Sequence, residues 1–135
     1  LLQRLDARGH GHRMVMFEPG RSLVGNAGVL LTETLYLKPG EEKNFCIVDA
    51  AMNDLMRPAM YEATMGIVPT RRGGGSPMTY DVVGPVCESG DWLGRDRVLA
   101  VQPGARLAIL SAGAYGMTMA SNYNTRGRAA EVLVI

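Results

Sequence analysis

Proline and glycine divide most of this chain into apolar runs too short for a long helix and rich in residues that favour strands. Val29–Leu37 partly alternates and stops at Lys38-Pro39-Gly40, and Asn44–Asp49 pairs naturally as the next strand. Tyr80–Val83 stops at Gly84-Pro85, and Gln102-Pro103-Gly104 separates Arg97–Val101 from Arg106–Leu110. Ala129–Ile135 is a last β-rich run. β-branched and aromatic runs between such turns predict a mainly β domain, a barrel or sandwich, over residues 25–135. A length of 135 residues suits one such core.

Composition narrows the function classes. With 47% hydrophobic and 20% charged residues the chain is globular, and no apolar run approaches the roughly 18 residues that span a membrane. A net charge of +1 gives no ground for a nucleic-acid or membrane partner. The two cysteines, Cys46 and Cys87, form neither a CxxC nor a metal-ligand spacing. Without a signal-peptide-like apolar start, a reduced cytoplasmic protein is expected.

The first 24 residues read differently. Leu1–Gly9 has the pattern of a closing amphipathic helix, with Leu1, Leu2 and Leu5 on one side and Gly9 as its C-cap. It has no initiator methionine and no N-cap, which suggests a chain cut from something longer. Met14–Phe17 is fit for a buried parallel strand, followed by Glu18-Pro19-Gly20-Arg21-Ser22 and a short helical turn to Ala27. Helix, loop, strand and a turn bearing Glu and Arg is the layout of the last unit of a (β/α)8 barrel, where functional residues sit at strand ends. Arg21 reads equally well as a surface arginine in a turn. His10 and His12 read as loop residues, since no third metal ligand has the right spacing.

Chemistry is concentrated in the later loops. Val86-Cys87-Glu88-Ser89-Gly90-Asp91 delivers a thiol and a carboxylate side by side where a strand ends. Cys46 lies inside an apolar run and reads as an inert buried thiol. Arg57 and Tyr61 are four residues apart and share a face if the segment is helical, although Pro58 prevents a long helix. A core tyrosine beside a surface arginine fits the same pattern. Glycines near Tyr115 leave its phenol uncrowded. Arg71–Pro77 holds three glycines, but no Lys-Ser/Thr follows and no helix opens, so a loop between strands is expected rather than a phosphate cradle. Lys38 and Lys43, the only lysines, are expected to be solvated.

Four motifs in one order carry a family resemblance: Glu18-Pro19-Gly20-Arg21-Ser22, Met52-Asn53-Asp54-Leu55-x-Arg57-Pro58, Val83-Gly84-Pro85-x-Cys87-Glu88-Ser89-Gly90-Asp91 and Ala112-Gly113-Ala114-Tyr115-Gly116-Met117. The chain resembles the C-terminal part of the diaminopimelate decarboxylases over nearly its whole length; only Arg71–Thr79 departs from the pattern. The resemblance implies a fold related to alanine racemase, in which a (β/α)8 barrel holds pyridoxal 5'-phosphate and a β domain follows. Residues 1–24 would be the end of that barrel and 25–135 the β domain. It implies decarboxylation of meso-diaminopimelate to L-lysine, the last step of lysine biosynthesis. Arg21 and Arg57 would meet the distal carboxylate, Glu88 the distal ammonium, and Tyr61 would add a hydroxyl contact. Glu18, Pro19, Gly20 and Arg21 would border the cofactor phosphate, with Tyr115 beside cofactor and substrate. Cys87 would return a proton to the substrate carbon, a role open to a thiol because free thiols, with a pKa of about 8.5, are mostly protonated at neutral pH. Cys87 and Glu88 would act in the neighbouring subunit of a homodimer.

The family's Schiff-base lysine lies in the first part of its barrel, a context that neither Lys38 nor Lys43 shares. Related decarboxylases of ornithine or carboxynorspermidine are alternatives. Ornithine has no distal carboxylate, so a site for it has no use for two arginines. A non-catalytic decarboxylase-like pairing module is a third reading, which the joint presence of Cys87, Arg57 and Tyr115 disfavours. This 135-residue stretch alone is therefore expected to show no aldimine absorbance with pyridoxal phosphate; borohydride-stable label at Lys38 or Lys43 would contradict that.

Overall fold

In the computed structural model, which describes residues 1–72 and 75–135, six strands form one sheet. They are β1 (Leu30–Lys38), β2 (Phe45–Val48), β3 (Ile67–Pro69), β4 (Met78–Val83), β5 (Trp92–Leu99) and β6 (Arg106–Ile109). Their order is β3-β6-β1-β2-β4-β5, with every pair antiparallel except β2 and β4. The two edges meet. Ile67 of β3 reaches Gly94 of β5 so closely that a Cβ there would stand 2.7 Å from its terminal methyl. The sheet is therefore a nearly closed barrel, which hides edges that would otherwise offer unpaired backbone.

Alternation explains which residues fill it. Leu30, Thr32 and Thr34 of β1 point inward with Ile67, Leu107 and Ile109, while Leu31 and Val68 point out. At Leu35 the register slips: Thr34 pairs with Val48 but Tyr36 with Ile47. This bulge changes the inward parity, so Leu37 rather than Tyr36 packs on the core. Cys46, Val48, Val82 and Leu93 complete the centre. Cys46 is 0% exposed beside Thr34, Sγ to Oγ1 3.7 Å.

β4 and β5 also slip, between Tyr80 and Val82 and again before Val83. Asp81 manages the first slip. Its Oδ1 accepts the N–H of Asp96 at 2.9 Å, where the backbone turns left-handed (φ 53°), and its Oδ2 accepts Lys43 Nζ at 2.9 Å. Lys43 is thus half of an ion pair rather than a freely solvated charge.

Among the described residues, three five-residue helices lie outside the sheet: α1 (Leu2–Asp6), α2 (Gly20–Val24) and α3 (Arg57–Tyr61). Gly9 ends the first helical segment as its sequence predicts. It takes φ 76°, its N–H bonds Asp6 O, and His10 N–H bonds Leu5 O. α2 continues into a 3-10 turn over Gly25–Ala27, matching the helical turn expected there.

Two strand expectations fail. Met14–Phe17 and Ala129–Ile135 form no strand, and Met14, Met16, Phe17 and Val132–Ile135 are exposed. Apolar, β-prone residues become a strand only beside a partner that takes up their N–H and C=O groups, and no described residue does so here. β3 was not expected; three residues give too short a pattern to read. The expected loop over Arg71–Pro77 includes Gly73 and Gly74, which lie outside the described residues.

The Asp81 contacts set a pH dependence. Burial pushes its carboxyl up, but the Lys43 hydrogen bond, the Asp96 N–H and the Lys43 and Arg95 charges outweigh this and hold it below the usual carboxylate range. The hydrogen bond to Asp81, then its charge, raises the Lys43 ammonium. The Asp81 contribution is present above the unfolded carboxyl value of about 3.9 and is lost as pH falls through the lower native value. The Lys43 contribution is present below about 10.4 and lost as pH rises through its raised native value. In the full-length gene product, Asp81→Asn should cost about 1–2 kcal/mol at neutral pH, mainly from the weakened bond to Asp96 N–H. The deficit in urea unfolding should be flat from about pH 5 to 9 and begin to close as pH falls below about 3.9.

Candidate active site

Arg57 and Tyr61 occupy the first and last positions of α3, one turn apart. Pro58 sits in the first turn, where its missing N–H costs no helical bond, so it starts the helix rather than breaking it. Glu62 closes the helix in the left-handed conformation, φ 52°, and gives its N–H to Arg57 O. The Arg57 guanidinium carbon then lies 5.7 Å from the centre of the Tyr61 ring and 5.7 Å from that of Tyr115. A cation between two aromatic rings is held by their quadrupoles while its N–H groups remain available to an anion. Tyr61 is exposed, which sets aside the reading of a core tyrosine.

Tyr115 comes from a loop pinned by close backbone contact. Ala112 N–H donates to Gly28 O, and Gly113 N–H to Gly25 O. A Cβ on Gly113 would stand 2.0 Å from Val24 O and 2.7 Å from Gly28 N, so no other residue fits. Ser111 Oγ adds a hydrogen bond with Asn26 Oδ1 at 2.8 Å. The 3-10 turn that follows Arg21 is thereby fastened to the loop bearing Tyr115. Tyr115 itself has φ 61° and is 48% exposed, so its ring stands clear of the core. Glu18, Pro19, Gly20 and Arg21 are all exposed at the start of α2, where Ser22 Oγ donates to Pro19 O. Gly20 N–H is taken by Glu18 O, and Arg21 is exposed.

Cys87 and Glu88 lie in the loop between β4 and β5, both exposed. Glu88 Oε1 accepts from Ser89 Oγ and Gly90 N–H, each at 3.2 Å, while Oε2 accepts no hydrogen bond among the described residues. No hydrogen bond or salt bridge among those residues joins Cys87 or Glu88 to Arg57, Tyr61 or Tyr115. The chain presents two groups of functional side chains, Arg57–Tyr61–Tyr115 and Cys87–Glu88.

Residues that read as ordinary turn positions connect them. Asp91 is 4% exposed and accepts Val86 N–H at 2.7 Å and Met52 N–H at 2.6 Å. Asn53, at 0% exposure, donates to Ser121 O and Asp54 Oδ1 and accepts from Arg126 Nε. Arg126 goes on to Asp49 O and stands 3.8 Å from Asp54. Asp91 ends the Val83–Asp91 motif, but nothing in the local sequence gives it or Arg126 a role, because Asp after Ser-Gly and Arg after Asn-Thr are common loop residues. No group of three or more His, Cys, Asp or Glu among the described residues could hold a metal. No helix among them is long and apolar enough to cross a membrane.

Comparisons with known proteins place this geometry in context. Residues 12–113 match the family profile described as pyridoxal-dependent decarboxylase, C-terminal sheet domain. A curated diaminopimelate decarboxylase of Pseudomonas aeruginosa is 58% identical over 98% of this chain and 32% of its own length. A crystal structure from Aquifex aeolicus superposes with a TM-score of 0.88 at 50% identity, covering 96% of this chain and 32% of that one. A diaminopimelate decarboxylase from M. jannaschii, solved with L-lysine, gives 0.84 at 42% identity over 93% of this chain and 29% of that one. The chain thus spans about a third of the length of these relatives.

The two thiols separate experimentally. Burial pushes the Cys46 thiol up against the opposing pull of Thr34, so it is both hidden and slow to ionise. Iodoacetamide on the native full-length protein, read by peptide mass, should label Cys87 at least about 100-fold faster than Cys46, with the gap closing in denaturant.

Proposed function

We propose, for a chain that belongs to the pyridoxal-dependent decarboxylases as their C-terminal sheet domain, that it completes the active site of a diaminopimelate decarboxylase. The observation that carries this reading is Arg57 held between the rings of Tyr61 and Tyr115. A guanidinium so placed suits a substrate with a carboxylate at its far end, and meso-diaminopimelate has one where ornithine has none. High identity to curated diaminopimelate decarboxylases supports the same substrate. The relative solved with L-lysine supports the same product.

Pyridoxal 5'-phosphate, when bound, supplies the electron sink for the bond that loses carbon dioxide. The residues present fit one side of that group. Gly20 leaves open space where a Cβ would stand, and Arg21 and Tyr115 are exposed. Glu18 and Pro19 complete the border of the phosphate. The lysine that anchors the cofactor is assigned to a part of the polypeptide outside this chain. Lys43 is engaged with Asp81, and Lys38 closes the end of β1 away from Leu30, the end that pairs with Ile109 just before the Tyr115 loop. Residues 1–24 are read as the end of the cofactor-binding barrel and 25–135 as the β domain.

This chain's side chains then divide the work. Arg21 and Arg57 hold the distal carboxylate, and Tyr61 contributes its hydroxyl. Glu88 offers Oε2 to the distal ammonium. Cys87 gives its proton to the carbon that has lost carbon dioxide, a step for which a positioned general acid is worth about 100- to 10,000-fold. That no hydrogen bond or salt bridge among the described residues joins the Cys87–Glu88 pair to the Arg57 group favours their serving two sites in a homodimer, each completed by the neighbouring copy. The reaction and the reduced thiols suit the cytoplasm.

The purified full-length gene product with pyridoxal phosphate should release carbon dioxide from meso-diaminopimelate and form L-lysine. Arg57→Ala should lower kcat/KM about 10- to 100-fold and erode the preference for diaminopimelate over substrates lacking the distal carboxylate. An unchanged preference would remove Arg57 from the site.

A further inference from the structure

We propose that Asp91 is a positioning residue that fixes the Cys87–Glu88 loop against the turn leading into the Arg57 helix, so that proton donor and carboxylate-binding cation are placed by one buried carboxylate. All of its polar groups are used for this. Oδ2 accepts Val86 N–H at 2.7 Å, immediately before Cys87, and Oδ1 accepts Met52 N–H at 2.6 Å, five residues before Arg57. Its own N–H donates to Glu88 O at 3.0 Å, and its carbonyl accepts Gly84 N–H at 3.0 Å. The loop from Gly84 to Asp91 is therefore a ring closed at both ends by one residue. Cys87 and Glu88 lie on its exposed arc.

Gly84 is the complement of this carboxylate. A Cβ there would stand 2.3 Å from Asp91 Oδ2 and 2.6 Å from Oδ1. Gly84 is not among the residues with positive φ, so the need for glycine is a need for space. An added methyl would push the carboxylate off the two N–H groups without changing a charge. Replacing Asp91 by Asn would set an amide NH2 against one of the same N–H groups, leaving a buried donor unsatisfied. The two substitutions reach the same clamp from opposite sides.

The inference rests on the decarboxylase reading for its kinetic part and on the structure alone for its chemical part. The test compares full-length wild type, Asp91→Asn, Gly84→Ala and Leu107→Ala, the last a core truncation in β6 remote from the loop and serving as a control for lost stability. For each, kcat and KM with meso-diaminopimelate are measured, together with the rate of Cys87 alkylation. Asp91→Asn and Gly84→Ala should each lower kcat at least 10-fold and speed Cys87 alkylation at least threefold. Leu107→Ala should leave both within threefold of wild type at a melting temperature lowered by as much or more. The proposal fails if both loop variants stay within twofold of wild type in kcat and alkylation, or if Leu107→Ala reproduces their changes. Should Asp91→Asn not fold, Gly84→Ala decides. If the wild type releases no carbon dioxide from diaminopimelate, the functional reading fails, and the alkylation rates, which need no substrate, still decide the role of Asp91.

Discussion

A five-residue turn, Ala51–Leu55, is held from inside by hydrophobic contact and from outside by a ring of hydrogen bonds. Ala51 and Leu55 are fully buried, and Leu55 belongs to the barrel core. Between them Asn53 reaches Ser121 and Arg126, Asp54 accepts Ala51 N–H, and Met52 gives its N–H to Asp91. A buried carboxamide or N–H is tolerable only when paired, at a cost of about 1–3 kcal/mol otherwise. The helix of Arg57, the loop of Cys87 and the segment 121–126 therefore depend on one another through this turn. Removing one leaves polar atoms of the others stranded.

The Arg57–Tyr61–Tyr115 group is mounted beside strained backbone rather than on regular strands. Glu62, directly after Tyr61, and Tyr115 both take left-handed φ values that side chains other than glycine adopt at a cost of order 1 kcal/mol or more. Ser111, at the entry to the Tyr115 loop, does the same. The barrel supplies the stability that keeps these residues in place, and the Gly28–Gly113 contact holds the loop close enough for the cost to be met. Helical spacing sets the Tyr61 ring beside Arg57, and the second ring comes from Tyr115, itself in the left-handed conformation.

Much of this was readable from residues alone, and the exceptions share a cause. β1 and β2 follow from alternation and a Pro-Gly turn, and the inert character of Cys46 follows from the apolar run around it. The pairing of Arg57 with Tyr61 follows from helical spacing. What failed depended on partners. Met14–Phe17 and Ala129–Ile135 have strand composition, but composition fixes a preference and pairing fixes a strand. The same limit hid the roles of Asp91 and Arg126, whose value lies in what they touch some 40 and 70 residues away along the chain. The bulge at Leu35 left no mark that alternation alone could show.

The strand order also has a consequence for synthesis. β1 lies between β2, which follows it at once, and β6, which begins roughly 76 residues later. At about 5–20 residues per second, a ribosome leaves one edge of β1 unpaired for roughly 4–15 seconds, and Arg126 reaches Asn53 later still. During that interval the outward Leu31 and the open backbone edge of β1 face whatever surrounds the nascent chain. β3 waits for the same partner, so the barrel closes only once β6 has been made and joins the two.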